Sequence, residues 1–316
     1  MVRDLHLIAT VAQERNSTTR RKIVPFDAMN TIHFTKAEGA QNDFVIVDDR
    51  RAALSHDERV RFTRAISHRR KGAGSDGVIF IDAARGVDFR MSFYNPDGSV
   101  GSMCGNGGRC AALFAFTNGI AGEVMRFEVL DSVYSARVEG SIVTLSFPAP
   151  RLVGRSEIVD SDTGALTCMF IDTGAPHVLL FHDELPEQFR VPYHELDMRR
   201  IGTTLRWHER FAPRGTNVSV LGQVDGEWAI RTFEKGVEDE TEACGTGTVA
   251  AAIALHLRFG IQPPIALRTH GGDCLIVDFD ARTEYAPTDP AHVSDKLSLK
   301  GPAVLVYEGC YAMGEL

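Results

Sequence analysis

The chain has 316 residues, of which 44% are hydrophobic and 24% charged, and its 34 basic and 42 acidic side chains give a net charge of −8. This length is typical of two domains, and the composition is that of a globular protein. The negative charge argues against nucleic-acid and anionic-membrane partners, and no apolar run approaches the roughly 20 residues that a membrane span needs.

The first 28 residues are expected to be a disordered N-terminal extension, or to result from an upstream start codon. Their apolar run, Leu5 to Ala12, is short and is followed by basic residues rather than by a small-residue cleavage site, which disfavours a secretory signal. A second methionine, Met29, stands directly before the first strand-like run. We therefore expect the folded chain to begin near Met29, and we expect a cytoplasmic protein with reduced thiols.

Strand-like and helix-like segments are mixed along the chain. Helices are predicted from Ser55 to about Arg69, from Cys104 to about Asn118 and from Cys244 to about Phe259. Strands are predicted at Thr31–Phe34, Phe44–Val47, Val78–Ile81, Phe89–Phe93, Met125–Leu130, Ile142–Phe147, Met169–Ile171, Val178–Phe181, Val218–Leu221 and Ala229–Phe233, and within Leu297–Tyr307. The proline-containing stretch 147–150 is predicted to link two domains.

A weak internal repeat relates the two halves of the chain. Both halves carry a C-G-x-G motif between a predicted strand and a small-residue helix, at positions that differ by 140 residues. The ungapped matches pair Phe93 with Phe233, Cys104 with Cys244, Gly105 with Gly245, Gly107 with Gly247, Ala111 with Ala251 and Ala112 with Ala252. Two similar halves imply a pseudo-two-fold axis, with Cys104 and Cys244 facing each other across one cleft.

Each repeated cysteine is predicted to stand at a helix N-terminus. Free N–H groups and the helix dipole favour an anion there, which is expected to lower a thiol pKa and to suit a substrate carboxylate. One thiolate would then remove an α-proton while the other thiol protonates the opposite face of the same carbon. The remaining cysteines are interpreted as small core residues, namely Cys110, Cys168, Cys274 and Cys310.

The sequence around these cysteines resembles the diaminopimelate epimerase family, and the resemblance runs from about Met29 to the C-terminus. Its blocks are GAQNDF at 39–44, NPDG at 95–98, MCGNGGRC at 103–110, PH at 176–177, TNV at 216–218, EKG at 234–236 and ACGTG at 243–247. The resemblance implies an α/β fold of two pseudo-symmetric domains, each a mixed curved β-sheet around a central α-helix. The first domain is expected to span 29–149 together with 304–316, and the second 150–303.

The family also implies roles for individual residues. Cys104 and Cys244 would be the acid/base pair, while His177 and Glu234 would orient the site and tune the thiols. The implied substrate-binding residues are Asn42, Asn95, Gly105, Asn106, Asn217, Glu234, Lys235, Gly245 and Thr246, and Tyr307 would help to form a homodimer. Simpler roles remain open for several of these residues: turn or cap residues for the asparagines, a structural histidine, a surface glutamate and plain strand packing for Tyr307.

The expected activity is the epimerisation of LL-2,6-diaminopimelate to the meso form, serving lysine and peptidoglycan synthesis. No nicotinamide, flavin or P-loop fingerprint is found. A pyridoxal lysine stays open, although a thiol pair makes one unnecessary. The expectation is therefore a small amino-acid substrate with no cofactor and no metal.

Three positions depart from the pattern of many family members. Ala175 replaces an Asn before the Pro-His pair, Lys235 replaces an Arg, and Gly77 replaces a Gln. The family uses these positions largely for the distal end of the substrate, and Lys cannot make the planar bidentate contact of Arg with a carboxylate. Two alternatives therefore stay open: a racemase of the same fold acting on another amino acid, such as histidine or proline, and a non-catalytic amino-acid-binding or thiol-redox protein.

Overall fold

The computed structural model describes residues 30–313 except 148, 149, 151 and 281–296. The extension expected over residues 1–28 and part of the predicted linker lie outside the described residues. None of the helices in this described part is long and apolar enough to cross a membrane.

The described residues form four α-helices and seventeen strands. The helices are α1 (His56–Ile66), α2 (Gly105–Thr117), α3 (Met198–Arg206) and α4 (Gly245–Phe259). The strands are β1 (Asn30–Gly39), β2 (Asn42–Asp48), β3 (Gly77–Asp82), β4 (Phe89–Tyr94), β5 (Val124–Val129), β6 (Ser132–Glu139), β7 (Ile142–Ser146), β8 (Leu152–Ser161), β9 (Gly164–Asp172), β10 (Pro176–Phe181), β11 (Asn217–Val224), β12 (Glu227–Glu234), β13 (Asp239–Thr241), β14 (Ile265–Arg268), β15 (Cys274–Asp278), β16 (Ser298–Pro302) and β17 (Val304–Met313).

Strand pairing follows the same order in both halves of the chain. The first half pairs as β17-β1-β2-β3-β4-β5-β6-β7, with β2 parallel to β3 and β4 parallel to β5. The second half pairs as β8-β9-β10-β11-β12-β14-β15-β16, with β10 parallel to β11 and β12 parallel to β14. An antiparallel pair of β7 with β16 joins the halves. The predicted fold class is confirmed, whereas the residue boundaries of the two domains stay a prediction.

The largest hydrophobic core packs around α2 and α4. Eleven of the 13 residues of α2 and ten of the 15 residues of α4 are buried, including runs of small residues at Ala111–Ala112 and Ala250–Ala252. A helix that is apolar on every side belongs in an interior, and small side chains let strands approach it closely. Both helix N-termini are therefore held inside the molecule.

Local sequence signals explain where the predicted helices begin. Ser55 precedes α1 and forms a capping box with Glu58, in which each side chain bonds the backbone N–H of the other residue. Cys104 and Cys244 take extended backbone angles as the N-caps of α2 and α4. The helices predicted at these places are confirmed, and α3 was not predicted.

Two of the cysteines interpreted as core residues are exposed. Cys110 and Cys168 are buried, as expected, but Cys274 and Cys310 are not. Cys274 is the outward-facing first residue of β15, where exposed and buried residues alternate. Cys310 lies on β17, next to His33 on β1, with Sγ 3.1 Å from Nδ1. The core interpretation is therefore wrong for these two residues, because a strand position alone does not tell which sheet face it occupies.

Candidate active site

The starts of α2 and α4 meet at a pair of glycines. A Cβ atom added to Gly105 would lie 3.5 Å from the Cα of Gly245, and one added to Gly245 would lie 3.3 Å from the Cα of Gly105. The absence of side chains therefore lets the two helix ends approach. Since Cys104 and Cys244 are the residues directly before these glycines, the contact brings both cysteines to one place.

Asn106 ties the two helix starts together. Its side chain is buried, and Nδ2 donates to the carbonyl oxygen of Ala243 over 3.0 Å and also to the side chain of Asn42. Its Oδ1 accepts from Nη2 of Arg109 over 2.8 Å. The Asn106 side chain, in the first half of the chain, thus holds Ala243, which precedes Cys244 in the second half.

Arg109 is a buried cation that the sequence analysis did not select. It is 0% exposed, and its hydrogen bonds go to Asn106 and to the carbonyl oxygens of Gly105 and Pro302. Its positive charge opposes the rise in the pKa of the nearby Cys104 thiol. A charged residue inside an Ala-rich helix, five positions after the motif cysteine, is the signal that identifies it.

The Cys104 thiol is partly buried and is protonated at neutral pH. Its Sγ accepts a hydrogen bond from the backbone N–H of Gly107 over 3.4 Å. Burial raises the pKa of Cys104 to about 11, and the charge of Glu234 raises it further, while the N–H groups of Gly107 and Asn106 lower it. The lowered thiol pKa expected from the sequence is wrong in this state, because the loss of hydration outweighs the helix N–H groups.

The carboxylate of Glu234 acts on the Cys244 thiol as well as on the Cys104 thiol. Cys244 is 7% exposed, and its pKa is raised well above the usual value by burial and then by the charge of Glu234. Its thiol also hydrogen-bonds the carboxylate of Glu234, which accepts from Oγ1 of Thr241 over 2.6 Å as well. Burial raises the pKa of Glu234, against the effect of these two hydrogen bonds. Glu234 is therefore placed to exchange a proton with Cys244.

His177 is a neutral neighbour of Cys244. It is 0% exposed on β10, and burial lowers its pKa to about 3. Its Nε2 lies 3.0 Å from Oγ1 of Thr246, and its Nδ1 has no partner among the described residues. A Cβ atom on Gly247 would lie 3.2 Å from the sulfur of Cys244 and 3.3 Å from Cε1 of His177. This glycine therefore leaves room for the imidazole and the thiol on its two sides.

Asn42 and Asn217 are hydrogen-bonded to other residues of the candidate site. Asn42 contacts Asn106 and donates to Oδ2 of Asp76 over 3.2 Å. Asn217 starts β11, where it donates to the carbonyl oxygen of Pro176 over 2.9 Å and accepts from the backbone N–H of Lys235 over 2.8 Å. Both asparagines lie among the other candidate residues and are held by them.

Two further candidates form no hydrogen bond with this group within the described part of the chain. Asn95 hydrogen-bonds Ser99 within its own turn, over 2.9 Å, which is the simpler role considered for it. Tyr307 is 46% exposed on β17, where it packs edge-on against Phe34.

Packing accounts for one of the three departures from the family pattern. A Cβ atom on Gly77 would lie 2.3 Å from the ring of Phe93, so this ring occupies the space of any side chain at position 77. Ala175 lies in the turn before β10, and Lys235 is exposed in the turn after β12.

Comparison with known proteins agrees with this arrangement. The family model described as diaminopimelate epimerase matches residues 34–138 and 169–293. A diaminopimelate epimerase from Chlorobaculum tepidum is 39% identical over 280 residues, which cover 86% of this chain and 98% of the relative. One from Archaeoglobus fulgidus is 34% identical over 301 residues, covering 90% of this chain and 98% of the relative.

Solved structures with low sequence identity share the fold. A hydroxyproline epimerase from Agrobacterium vitis superimposes with a TM-score of 0.66 at 14% identity, covering 90% of this chain and 93% of the other. A phenazine biosynthesis protein from Bacillus anthracis gives a TM-score of 0.63 at 16% identity, with 90% and 100% coverage. Together with the family model and the similar sequences, the facing helix starts show that this chain belongs to the diaminopimelate epimerase family.

Proposed function

We propose that this protein interconverts LL- and meso-2,6-diaminopimelate without a cofactor, with Cys104 and Cys244 as the acid/base pair. The observation that carries the proposal is the contact of two cysteine-capped helix starts around Glu234. It is supported by relatives that bear the name diaminopimelate epimerase and match over most of their length.

The helix starts provide the site for the reacting carboxylate. The first N–H groups of an α-helix have no acceptor within the helix, and two such ends meet at Gly105–Asn106 and Gly245–Thr246. A carboxylate held by both ends gains negative charge when the adjacent C–H bond breaks. Hydrogen-bond donors already in place stabilise that charge in the transition state.

Two proton transfers on opposite faces then invert the carbon. In one direction a thiolate takes the α-proton, and the other cysteine gives its thiol proton to the opposite face of the carbanion. The two cysteines end in exchanged protonation states, so the reverse reaction uses them in exchanged roles. Because burial keeps both thiols protonated, one must first lose a proton, and the carboxylate that hydrogen-bonds Cys244 is a base within reach.

The remaining assignments belong to the same proposal. His177 positions Cys244 through Thr246, while Asn42, Asn95, Asn106, Asn217 and Lys235 contact polar groups of the substrate. The protein acts in the cytoplasm as a homodimer with Tyr307 at the subunit contact. The support for the dimer is a row of exposed apolar residues on β17, at Val304, Val306 and Tyr307.

Hydrogen exchange in D₂O tests the proposal. Reduced protein is incubated with LL-diaminopimelate, and NMR follows α-deuterium and meso product. We expect both to appear with the wild type, and Cys104→Ala and Cys244→Ala each to lose epimerisation. Cys110→Ala is the matched control, since this buried thiol lies on the same helix. Epimerisation that survives in either of the two active-site variants would contradict the two-thiol mechanism.

A racemase for another amino acid is the second candidate. It is favoured by Ala175 and Lys235, which lack the amide and the planar guanidinium that many family members carry at these positions. A panel of L-amino acids, including histidine and proline, followed by chiral chromatography separates the two candidates. Turnover of another amino acid much faster than that of diaminopimelate would replace the first proposal by the second.

A further inference from the structure

The turn that carries Ala175 lies directly beside the reacting groups. Oγ1 of Thr173 donates to the backbone oxygen of Thr246 over 3.3 Å, and Thr246 contacts both His177 and Cys244. Ala175 closes this turn, with its backbone oxygen accepting from the N–H of Thr173 over 3.1 Å. A side chain that reaches this turn from outside therefore reaches the edge of the site.

Arg214 is such a side chain. Its Nη1 lies 3.1 Å from Oδ2 of Asp172, the residue just before Thr173, and 54% of the side chain is exposed. Arg214 and Arg210 both line a cavity of about 380 Å³, but none of the candidate active-site residues borders it, so this cavity is not the site. In the part of the chain that the structure describes, no other hydrogen bond of the Arg214 guanidinium is found. Two N–H groups of one guanidinium edge suit the two oxygens of a carboxylate.

Lys235 is close enough to Arg214 for the charge of Arg214 to act on the pKa of its ammonium group. Its backbone N–H holds the amide of Asn217, and its ammonium forms no ion pair within the described residues. Partial burial lowers the pKa of Lys235, and the positive charges of Arg206 and Arg214 lower it further. Cations thus converge on the turn that follows Glu234.

Positive charge is in excess at this place. The charged groups that act on Lys235 are Arg206 and Arg214 on one side and Glu238 and Asp172 on the other. Arg206 is 3% exposed and pairs with Glu238, with Nη2 2.8 Å from Oε1, but its Nη1 has no hydrogen-bond partner among the described residues. Arg206 and Arg214 thus each have a carboxylate partner, and Lys235 is the cation of this group that has no ion pair in the described part of the chain. An additional carboxylate would balance the charge.

We propose that Arg214 and Lys235 bind the distal carboxylate of the substrate, beside Asn217. The inference rests on the proposed function and names the part of the site that selects a dicarboxylic substrate. Arg214 supplies the planar guanidinium that position 235 lacks, and it contacts Asp172, at the start of the turn in which Ala175 lacks an amide. Lys235 adds a second positive charge without bidentate geometry.

Kinetics of Arg214→Ala with LL-diaminopimelate test the inference. A charge-assisted contact with a non-reacting group contributes to binding, so we expect KM to rise about 10- to 100-fold and kcat to change by less than about threefold. Arg214→Lys keeps the charge but loses the planar edge, so its KM should lie between those of the wild type and Arg214→Ala. Arg210→Ala is the matched control, because Arg210 lines the same cavity, is 58% exposed and pairs with Glu157 instead. Its KM should equal that of the wild type.

The outcomes separate the inference from the proposed function. A wild type that epimerises diaminopimelate, with an unchanged KM in Arg214→Ala, overturns the inference and leaves the function standing. A variant with lower kcat and a lower thermal midpoint but the same KM also overturns it, because Arg214 would then only support the Asp172 turn. A wild type that inverts only amino acids with one carboxylate overturns both.

Discussion

At the scale of single residues, burial decides the charge of the two thiols. A helix N-terminus favours a thiolate, and the N–H groups of Asn106 and Gly107 act in that direction on Cys104. The loss of hydration acts in the opposite direction and is the larger effect for both cysteines. The negative charge of Glu234 raises the pKa values of both thiols further. Both cysteines are therefore protonated thiols until a base removes one of the two protons.

Replacing Glu234 by Gln separates the two effects of this carboxylate. Without its negative charge the pKa values of Cys104 and Cys244 fall, so alkylation of Cys104 by iodoacetamide should shift to lower pH. The base that accepts from Cys244 is also lost, so kcat should fall by about 100-fold or more. Peptide-resolved mass spectrometry and the epimerisation rate measure the two effects.

Asp239→Asn is the control for this change. Asp239 faces Glu234 across the β12–β13 pair but is exposed. We expect neither the alkylation profile nor the rate to change in this variant. An unchanged alkylation profile in Glu234→Gln would show that its charge does not act on Cys104.

At the scale of elements, the spacing of the thiols depends on how closely α2 and α4 approach. A methyl group on Gly245 would come within 3.2 Å of Leu299 and 3.3 Å of Gly105, which is tighter than ordinary contact. The helix ends must then move apart by a few tenths of an ångström. Misplacement of reacting groups on this scale is expected to reduce the rate of the chemical step.

Gly245→Ala should therefore lower kcat/KM by about 10- to 100-fold. The unfolding free energy should change by only about 1 kcal/mol, because Ala is the better helix former. Steady-state kinetics and urea unfolding measure these quantities. Gly122→Ala is the control, since its nearest neighbouring atom would be 4.0 Å away. Full activity in Gly245→Ala would mean that the glycine contact does not set the geometry of the site.

The sequence predicts those elements that carry strong local signals. The capping box at Ser55 and the two C-G-x-G motifs mark the starts of α1, α2 and α4. β6, β8, β13, β14 and β15 are not predicted. Polar residues interrupt the alternation of β6 and β8, and the other three strands have at most 5 residues, so their strand state depends on pairing partners. Pairing partners also decide which cysteines are exposed. The place of Arg214 could not be predicted either, since its contact with Asp172 spans 42 residues.

At the scale of the whole molecule, β17 is the strand that the chain adds last to the first half. It pairs antiparallel with β1 from Val304 to Met313, in the place that β8 takes beside β9 in the second half. Its partner β1 is bonded to β2 on the other side, so β17 is the outermost strand in this order. An outer strand with exposed apolar residues is suited to contact with another copy of the chain.

The proposed homodimer predicts that a charge on β17 breaks the assembly. In Val306→Asp, a carboxylate replaces a side chain that is 54% exposed, and burying it unpaired against a second copy costs several kcal/mol. Light scattering after size exclusion should therefore show a dimer for the wild type and a monomer for the variant at micromolar concentration. Ile158→Asp is the matched control, because Ile158 is 72% exposed on β8, the equivalent strand of the other half. If the dimer persisted in Val306→Asp but dissociated in Ile158→Asp, the subunit contact would lie on β8 in the second half, and Tyr307 would not be part of it.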